Sequence, residues 1–341
     1  MKRVLVILVT HNGMHWLPRC IASLASSKNA QNKDAEAQNG LTSSKKAVFK
    51  DTGVTVDVYV VDNDSTDGSA DYVQSNCPGV KLIRSAENLG FTLANNMGFD
   101  YAIAKGYDYV YLLNQDAWLE EGAIDKLVAA AEAHPDFAVL SPLQMTDRFK
   151  ELDYQFSKLY KVPEDTQFRK QCHPRLRGRS PAEGWEGSRS DVSGTVCPSE
   201  PCAVKRVMAA HWLMRMEAVK QVGKFRELFP YYGQDDDWCN RARYHGWKIG
   251  IVPEARAVHD RAKRKESKER IIDRNYRVGS LIRLCDINRP LWERFLFVCL
   301  FTVVKTVKYF SFLPVKHFIG ICKKLPELVT LRDLSKKKLW Q

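Results

Sequence analysis

The sequence predicts an α/β fold: a mostly parallel central sheet flanked by helices, followed by C-terminal amphipathic helices. Three observations predict it. Short β-prone runs recur in the first third of the chain, and each stops at a polar cluster: residues 4–9 at Thr10-His11-Asn12, 54–61 at Asp62-Asn63-Asp64, and 109–113 at Asn114-Gln115-Asp116. Apolar runs of that length read as strands buried on both faces. Helical stretches alternate with them, and a β-α-β-α order predicts right-handed crossovers and parallel pairing. Finally, aromatic and basic residues interleave along the last eighty positions.

In order, residues 4–9 form the first strand and 16–26 the first helix, where Pro18 is tolerated in the opening turn. Residues 27–52 carry Asn, Gln, Lys, Ser and Ala but few large apolar groups, which predicts a flexible surface insertion. Residues 54–61 are the second strand. The turn-formers from Asp62 to Ser69 end it and open a short helix over 70–75. A strand over 80–84, a turn over 87–91 and a helix over 92–105 lead into the strand 109–113. A helix over 120–134 and a strand over 137–140 follow.

Residues 146–201 are polar and aperiodic, and predict a long functional or lid-like insertion. Residues 204–214 resume strand character and 217–222 make a short helix. Gln234-Asp235-Asp236-Asp237 opens a further helix, which Gly246 stops. A strand over 247–252 precedes Ala257-Val258-His259-Asp260, giving one domain over 1–260 and a basic amphipathic tail over 261–341.

The net charge is +12, and it is unevenly placed. From Arg261 onward there are 20 Lys/Arg against 7 Asp/Glu, so the rest of the chain is close to neutral. A basic tail seeks phosphates. No nucleic-acid recognition module is visible, and an apolar run has no use in a phosphate contact, so nucleic acid is not the expected partner. The longest uncharged stretch there, 295–304, is ten residues, whereas a spanning helix needs about 20. Aromatic and basic residues together describe helices lying in a membrane interface, although packing on the domain would explain the same pattern. Nine cysteines without a CxxC pair fit a reducing compartment.

Three polar clusters, Thr10/Asn12, Asp62/Asp64 and Asn114/Asp116, fall at the carboxyl ends of predicted parallel strands, where open α/β sheets bind ligands. Neither a Gly-x-Gly-x-x-Gly nor a Walker sequence is present, so phosphates laid there need a metal. Asp116 is the candidate ligand, with His259 a second. The acidic run Asp235-Asp236-Asp237 suits a helix N-terminus electrostatically, and one of its carboxylates is also placed to take a proton from an acceptor hydroxyl.

These residues resemble the family 2 inverting glycosyltransferases of GT-A (nucleotide-diphospho-sugar transferase) fold, especially their rhamnosyltransferase-like branch. The matching pieces are Val9-Thr10-His11-Asn12, Val61 through Ser69, Glu87-Asn88-Leu89-Gly90-Phe91 with Asn95 and Gly98, Leu113-Asn114-Gln115-Asp116, and Gln234 through Ala242, with Gly246-Trp247-Lys248-Ile249 and His259 trailing. The resemblance covers about residues 3–260. It implies that Thr10, Asn12, Asp62, Asp64, Asn88, Asn95, Asn114 and Gln115 line the nucleotide-sugar pocket, and that Asp62 binds the base. It implies Asp116, joined by His259, on Mg²⁺ or Mn²⁺. Asp235 stands where the family has its base, although Gln234 replaces the usual acid before it and leaves Asp236 or Asp237 open for that role.

The implied donors are dTDP-, UDP- or GDP-linked sugars, rhamnose among them. The implied acceptor is a saccharide or lipid-linked saccharide of cell-surface polysaccharide synthesis, entering over 146–201 and Trp212 beside Asp236 and Asp237. A cytoplasmic protein held peripherally on the inner membrane by its tail is expected. The alternatives are a sugar-nucleotide pyrophosphorylase, for which the loop after the first strand lacks the glycines and cations, and a membrane scaffold that binds nucleotide sugar without turnover.

Overall fold

A computed structural model describes residues 1–25, 47–48, 53–146, 152–153, 156, 200–260 and 267–337. Most of the insertions expected at 27–52 and 146–201 lie outside the described residues. In chain order the first elements are β1 (Lys2–Thr10), α1 (Leu17–Ala25), β2 (Ala47–Val48), β3 (Val54–Asn63), α2 (Ser69–Asn76), β4 (Lys81–Ser85), α3 (Gly90–Lys105), β5 (Tyr109–Asn114), β6 (Ala117–Leu119), α4 (Ala123–Ala133) and β7 (Phe137–Met145). Then come β8 (Cys202–Val204), β9 (His211–Arg215), α5 (Met216–Val222), α6 (Gln234–Tyr244) and β10 (Lys248–His259). The C-terminal part holds α7 (Lys268–Ile272), a π-helical stretch (Asp273–Val278), α8 (Gly279–Cys285), α9 (Leu291–Tyr309), α10 (Leu313–Lys323) and α11 (Leu325–Lys336).

The strands join in one sheet ordered β2-β3-β1-β5-β9-β7-β10-β6, with β4 beside β3 and β8 beside β10. The half predicted from the apolar runs is parallel: β1 pairs β3 and β5, and β3 pairs β4. Residues of β1 alternate between two core layers, Leu5 and Ile7 into one, Val4, Val6 and Leu8 into the other. Both faces of the sheet are therefore covered.

The other half departs from the simple alternation. The strand expected over 204–214 is two strands, β8 and β9, separated by residues 205–210. β9 runs antiparallel between β5 and β7, and β6, not foreseen, returns antiparallel on β10. An apolar strand buried on both faces carries no mark of its direction, so the sequence pattern could not distinguish these cases.

The boundary expected at 260 ends the sheet but not the packing. Phe229, from the loop before α6, shares a buried cluster with Val278, Leu281, Leu284, Val298, Ile321 and Leu328. Arg332 on α11, buried, donates to the carbonyls of Leu284 at 2.7 Å, Asp286 at 2.6 Å and Arg289 at 2.6 Å. Arg332 thus ties α11 to the end of α8 by satisfying its orphan carbonyls, and the Phe229 cluster seats these helices on the sheet domain.

Gly98 tests the closeness of α3 to the sheet. A Cβ there would lie 2.5–2.7 Å from three side-chain atoms of Ile7, which is fully buried in β1. Alanine gains about 1 kcal/mol in helix propensity, but overpacking a rigid β-branched neighbour costs about 1–3 kcal/mol. Gly98→Ala is expected to lower the unfolding free energy measured in urea; a stabilised variant would show that α3 has room to move away.

Candidate active site

The register of the parallel strands brings the predicted polar ends to one edge. Thr10 pairs with Asp62, and Val9 with Asn114. Thr10 is buried and donates through Oγ1 to Gln115 Oε1 at 2.9 Å; the same oxygen accepts from His11 N at 2.8 Å, and Gln115 Nε2 donates to His11 O at 3.2 Å. Gln115 therefore braces the loop after β1.

Asn12 holds a left-handed conformation (φ 48°), and its Oδ1 accepts from Thr66 N at 2.8 Å. Asp64 is also left-handed (φ 65°) and exposed. Asn88 Oδ1 accepts from Gly90 N and from Asn63 Nδ2, both at 2.9 Å. Asn95 is buried and donates to the Phe91 carbonyl one turn back at 2.7 Å. The carboxamides of Asn12, Asn88, Asn95 and Gln115 thus shape the rim by holding backbone.

Asn63, not foreseen as important, holds the 88–90 turn from both ends, since its Oδ1 also accepts from Leu89 N at 2.8 Å. Asp62 differs from these. It is 3% exposed, its Oδ2 accepts from Ser65 N at 3.2 Å, and its Oδ1 has no partner among the described residues. A buried carboxylate oxygen without a donor is a ready acceptor for a ligand N–H.

Asp116 meets His259 across 143 positions of chain. β6 pairs with the end of β10, His259 opposite Ala117, which brings Asp116 Oδ1 within 3.5 Å of His259 Nε2. Asp260 ties down the same corner: its N donates to Asp116 O at 2.8 Å, and its Oδ2 accepts from Trp16 Nε1 at 2.9 Å. His259 Nδ1 is buried without a partner among the described residues.

Behind the pair lies His211, buried, with burial lowering its pKa to about 3. The ring is therefore neutral. Its Nε2 lies 2.9 Å from the Val258 carbonyl, which can only accept, so Nε2 carries the hydrogen and Nδ1 accepts from Tyr111 Oη at 2.9 Å. Its proximity to His259 depends on the antiparallel β9, which the sequence did not reveal. A carboxylate oxygen and an imidazole nitrogen this close fit a divalent cation. No group of three or more His, Cys, Asp or Glu is placed for a metal among the described residues, so ligand phosphates and water would complete such a shell.

The acidic run divides its labour. Gly233 (φ 91°) turns the chain into α6. Asp237 is 1% exposed between Arg226 Nη1 at 2.8 Å and Arg241 Nε at 2.9 Å. It does not face an acceptor, which corrects the expectation for it. Trp212 is corrected likewise: it is fully buried, 6.0 Å from the Trp238 ring and 6.2 Å from Phe225. Asp236 pairs with Arg206. Asp235 is half-buried, and burial, then the neighbouring Asp236 charge, raise its pKa to about 7.

Gln234 Oε1, beside it, is buried with no partner among the described residues. The two halves of the site are joined by a short segment: Arg206 holds Asp236, and four residues later the Ala210 carbonyl accepts from Asn114 N at 3.2 Å. Four residues of chain cannot span more than about 14 Å.

Comparison with known proteins agrees with this architecture. The glycosyl transferase family 2 model matches residues 5–174. The chain is 29% identical over 216 residues, 61% of its length and 67% of the relative's, to N-acetylglucosaminyl-diphospho-decaprenol L-rhamnosyltransferase from two strains of Mycobacterium tuberculosis. Among solved structures it is similar to the mannosyltransferase PcManGT of Pyrobaculum calidifontis in complex with GDP-Man and Mn²⁺ (TM-score 0.53, 13% identity, 98% of this chain and 84% of that one). It is also similar to S. aureus TarS 1-349 in complex with UDP-GlcNAc (TM-score 0.51, 15% identity, 87% and 70%). At such identities these structures establish the fold alone. The pyrophosphorylase and scaffold alternatives find no support in these likenesses. With its parallel nucleotide-side strands and the polar ends they align, the chain belongs to glycosyl transferase family 2 and is a glycosyltransferase of GT-A fold.

Proposed function

We propose that this glycosyltransferase moves a sugar, rhamnose by the precedent of its mycobacterial relative, from a dTDP-, UDP- or GDP-linked donor to a lipid-linked saccharide, with inversion and with Mg²⁺ or Mn²⁺, at the cytoplasmic face of the inner membrane in cell-surface polysaccharide synthesis. The observation that carries it is the meeting of Asp116 and His259 at 3.5 Å, at the same sheet edge as the unpartnered Asp62 Oδ1. Asp62 accepts an N–H of the base, and the loops held by Gln115 and Asn63 frame the ribose and diphosphate. Asp116 and His259 would hold the cation, which supplies positive charge to the leaving diphosphate.

Asp235 takes the proton from the acceptor hydroxyl as that oxygen attacks the anomeric carbon. Because a pKa near 7 is matched to that task, Asp235 is the base chosen among the three carboxylates. One displacement inverts the centre and needs no protein nucleophile.

The membrane reading rests on α9. Leu291, Phe295, Val298 and Thr302 face the protein, while Trp292, Leu296, Leu300, Val303 and Val307 form an exposed stripe at helical spacing that continues to Phe310, 93% exposed. Exposed Lys308, Lys316, Lys323 and Lys324 follow. No helix among the described residues is long and apolar enough to cross a membrane. An apolar stripe with flanking cations suits an anionic bilayer surface, each large side chain contributing about 1.5–3 kcal/mol when buried in it.

Three outcomes are expected. Asp116→Asn, assayed for donor turnover with Mn²⁺, loses more than about tenfold in kcat/KM and shifts the Mn²⁺ requirement upward; an unchanged Mn²⁺ titration would remove Asp116 from the metal site. Asp235→Asn loses roughly 10²–10⁴ in kcat, and its stability moves the other way. A raised native pKa means that between about pH 4 and 7 the folded state keeps a proton the unfolded chain has released, so wild-type stability falls as pH rises through that window. Asp235→Asn lacks this fall and is the more stable protein at pH 8, whereas a helix-capping role predicts the reverse. In vesicle co-sedimentation, Leu300→Asp with Phe310→Asp weakens binding to phosphatidylglycerol vesicles at least tenfold at unchanged circular dichroism; equal binding would leave the stripe without a membrane role.

A further inference from the structure

Around the acidic start of α6, several arginines are matched to carboxylates: Arg206 to Asp236, Arg226 and Arg241 to Asp237, Arg277 to Asp273, and Arg294 to Asp286; Arg243 bonds the Asn240 carboxamide and Arg332 three backbone carbonyls instead. Arg283 is not matched either. It stands on α8, which packs against both α6 and α9. Its guanidinium carbon lies 5.0 Å from the Phe297 ring centre and 4.8 Å from that of Phe301, and Nη1 donates to the Gly279 carbonyl at 2.7 Å. It has no carboxylate partner among the described residues, and it is half-buried.

A partly desolvated cation without a counter-ion is unfavourable unless an anion arrives. Burial, then Arg294, lower the Arg283 pKa; Asp236 opposes them and Arg206 adds to them. The cation therefore shares its surroundings with Asp236 and Arg206 on one side and with α9 on the other.

We propose that Arg283, beside Arg206, binds the diphosphate that joins the acceptor sugar to its lipid, with the lipid chain leaving along the exposed stripe of α9. The inference rests on the lipid-linked acceptor proposed above. It is carried by an order of groups. From Asp236 the protein presents Arg206 paired to it, then Arg283 on α8, which packs against α6, then Phe297, then Leu296 and Leu300 on the exposed face. A lipid diphosphosugar presents a hydroxyl-bearing ring, two phosphates and a hydrocarbon in the same order. Contact with two aromatic rings positions the guanidinium, and its remaining N–H groups are suited to two phosphate oxygens at once. A lysine would supply charge without that fork.

The test uses the full chain with its nucleotide site saturated by whichever of dTDP, UDP or GDP binds, so that the probe cannot occupy the donor site. Farnesyl diphosphate is titrated against farnesol and inorganic pyrophosphate by calorimetry. Wild type is expected to bind farnesyl diphosphate at least tenfold more tightly than either fragment. Arg283→Met, which keeps an unbranched apolar stem against the rings, loses at least tenfold for farnesyl diphosphate and nothing for farnesol, and Arg283→Lys falls between.

A wild type that does not prefer farnesyl diphosphate, or an Arg283→Met protein that binds it as wild type does, overturns the proposal. If Arg283→Met does not fold, undiminished binding by Arg283→Lys and Arg283→Gln does the same. Failure of all three nucleotides to bind would instead strike the donor reading, and this inference with it. Nucleotide binding without a lipid-diphosphate preference strikes this inference alone.

Discussion

The carboxylate of Asp237 lies between Arg226, on the loop that precedes α6, and Arg241, one turn along α6, and the rest of the site takes its orientation from that contact. A helix turns about 100° per residue, so fixing position 237 inward directs 235 roughly 200° away. Buried ion pairs are poor sources of net stability, because desolvation offsets attraction, but removing one partner strands the others at a cost of about 3–5 kcal/mol. Here the contact also reaches further. Arg226 bonds Ser335 and donates to the Leu331 carbonyl at 3.3 Å, so α6, its preceding loop and α11 share one node. Arg241 adds the carbonyls of Val222 and Lys224. The facing of α6 and the seating of the last helix are therefore one constraint.

Against this background the unpartnered atoms acquire meaning. A buried polar atom left without a partner costs about 1–3 kcal/mol. Asp62 Oδ1, His259 Nδ1 and Gln234 Oε1 all bear that cost, and all three sit at the strand ends or helix start that the site comprises. Among the described residues the indole nitrogens of Trp118 and Trp212, both polar atoms of the Gln144 carboxamide, Arg243 Nε, Ser280 Oγ, Arg294 Nε and His317 Nε2 are unpartnered as well, and nothing in the structure explains them. An indole buried among rings has only a weak donor to leave idle, whereas a carboxylate oxygen kept dry at the mouth of a parallel sheet is a strong acceptor awaiting a donor.

The gathering of polar strand ends at one edge was legible because parallel strands buried on both faces announce themselves as apolar runs, and the polar residues that end them must lie at one edge. Thr10, Asp62 and Asn114 needed only strand order. What each side chain does there was not legible. Asn12, Asn88, Asn95 and Gln115 read as pocket lining, yet the oxygens or amides described are spent on backbone, because a carboxamide holding a turn and one holding a ligand have the same sequence signature. The division of labour in Asp235-Asp236-Asp237 was hidden for another reason. It is set by Arg206 and Arg226, whose positions depend on the crossing of the 205–210 segment and the 225–233 loop. Trp212 was misread because it lies on β9, whose antiparallel insertion between β5 and β7 turns its ring into the core.

The tail, too, was half legible. Apolar residues in α9 occur on two faces, and a sequence cannot say which is packed. The structure divides them: 291, 295, 298 and 302 inward, 292, 296, 300, 303 and 307 outward. The inward face explains why this helix exists at all, since it covers Phe229 and α8. The outward face adds nothing to that packing, and a single scattered apolar residue would need no explanation, but a stripe of two and more turns does. At 19 residues the helix is about 28 Å long, enough in length but not in apolarity to span a bilayer. A stripe on one side only is the geometry of a helix lying in the plane of a surface. Because α8 and the node at Arg226 bind these helices to α6, a surface that receives the stripe also fixes the orientation of α6 and Asp235 towards it.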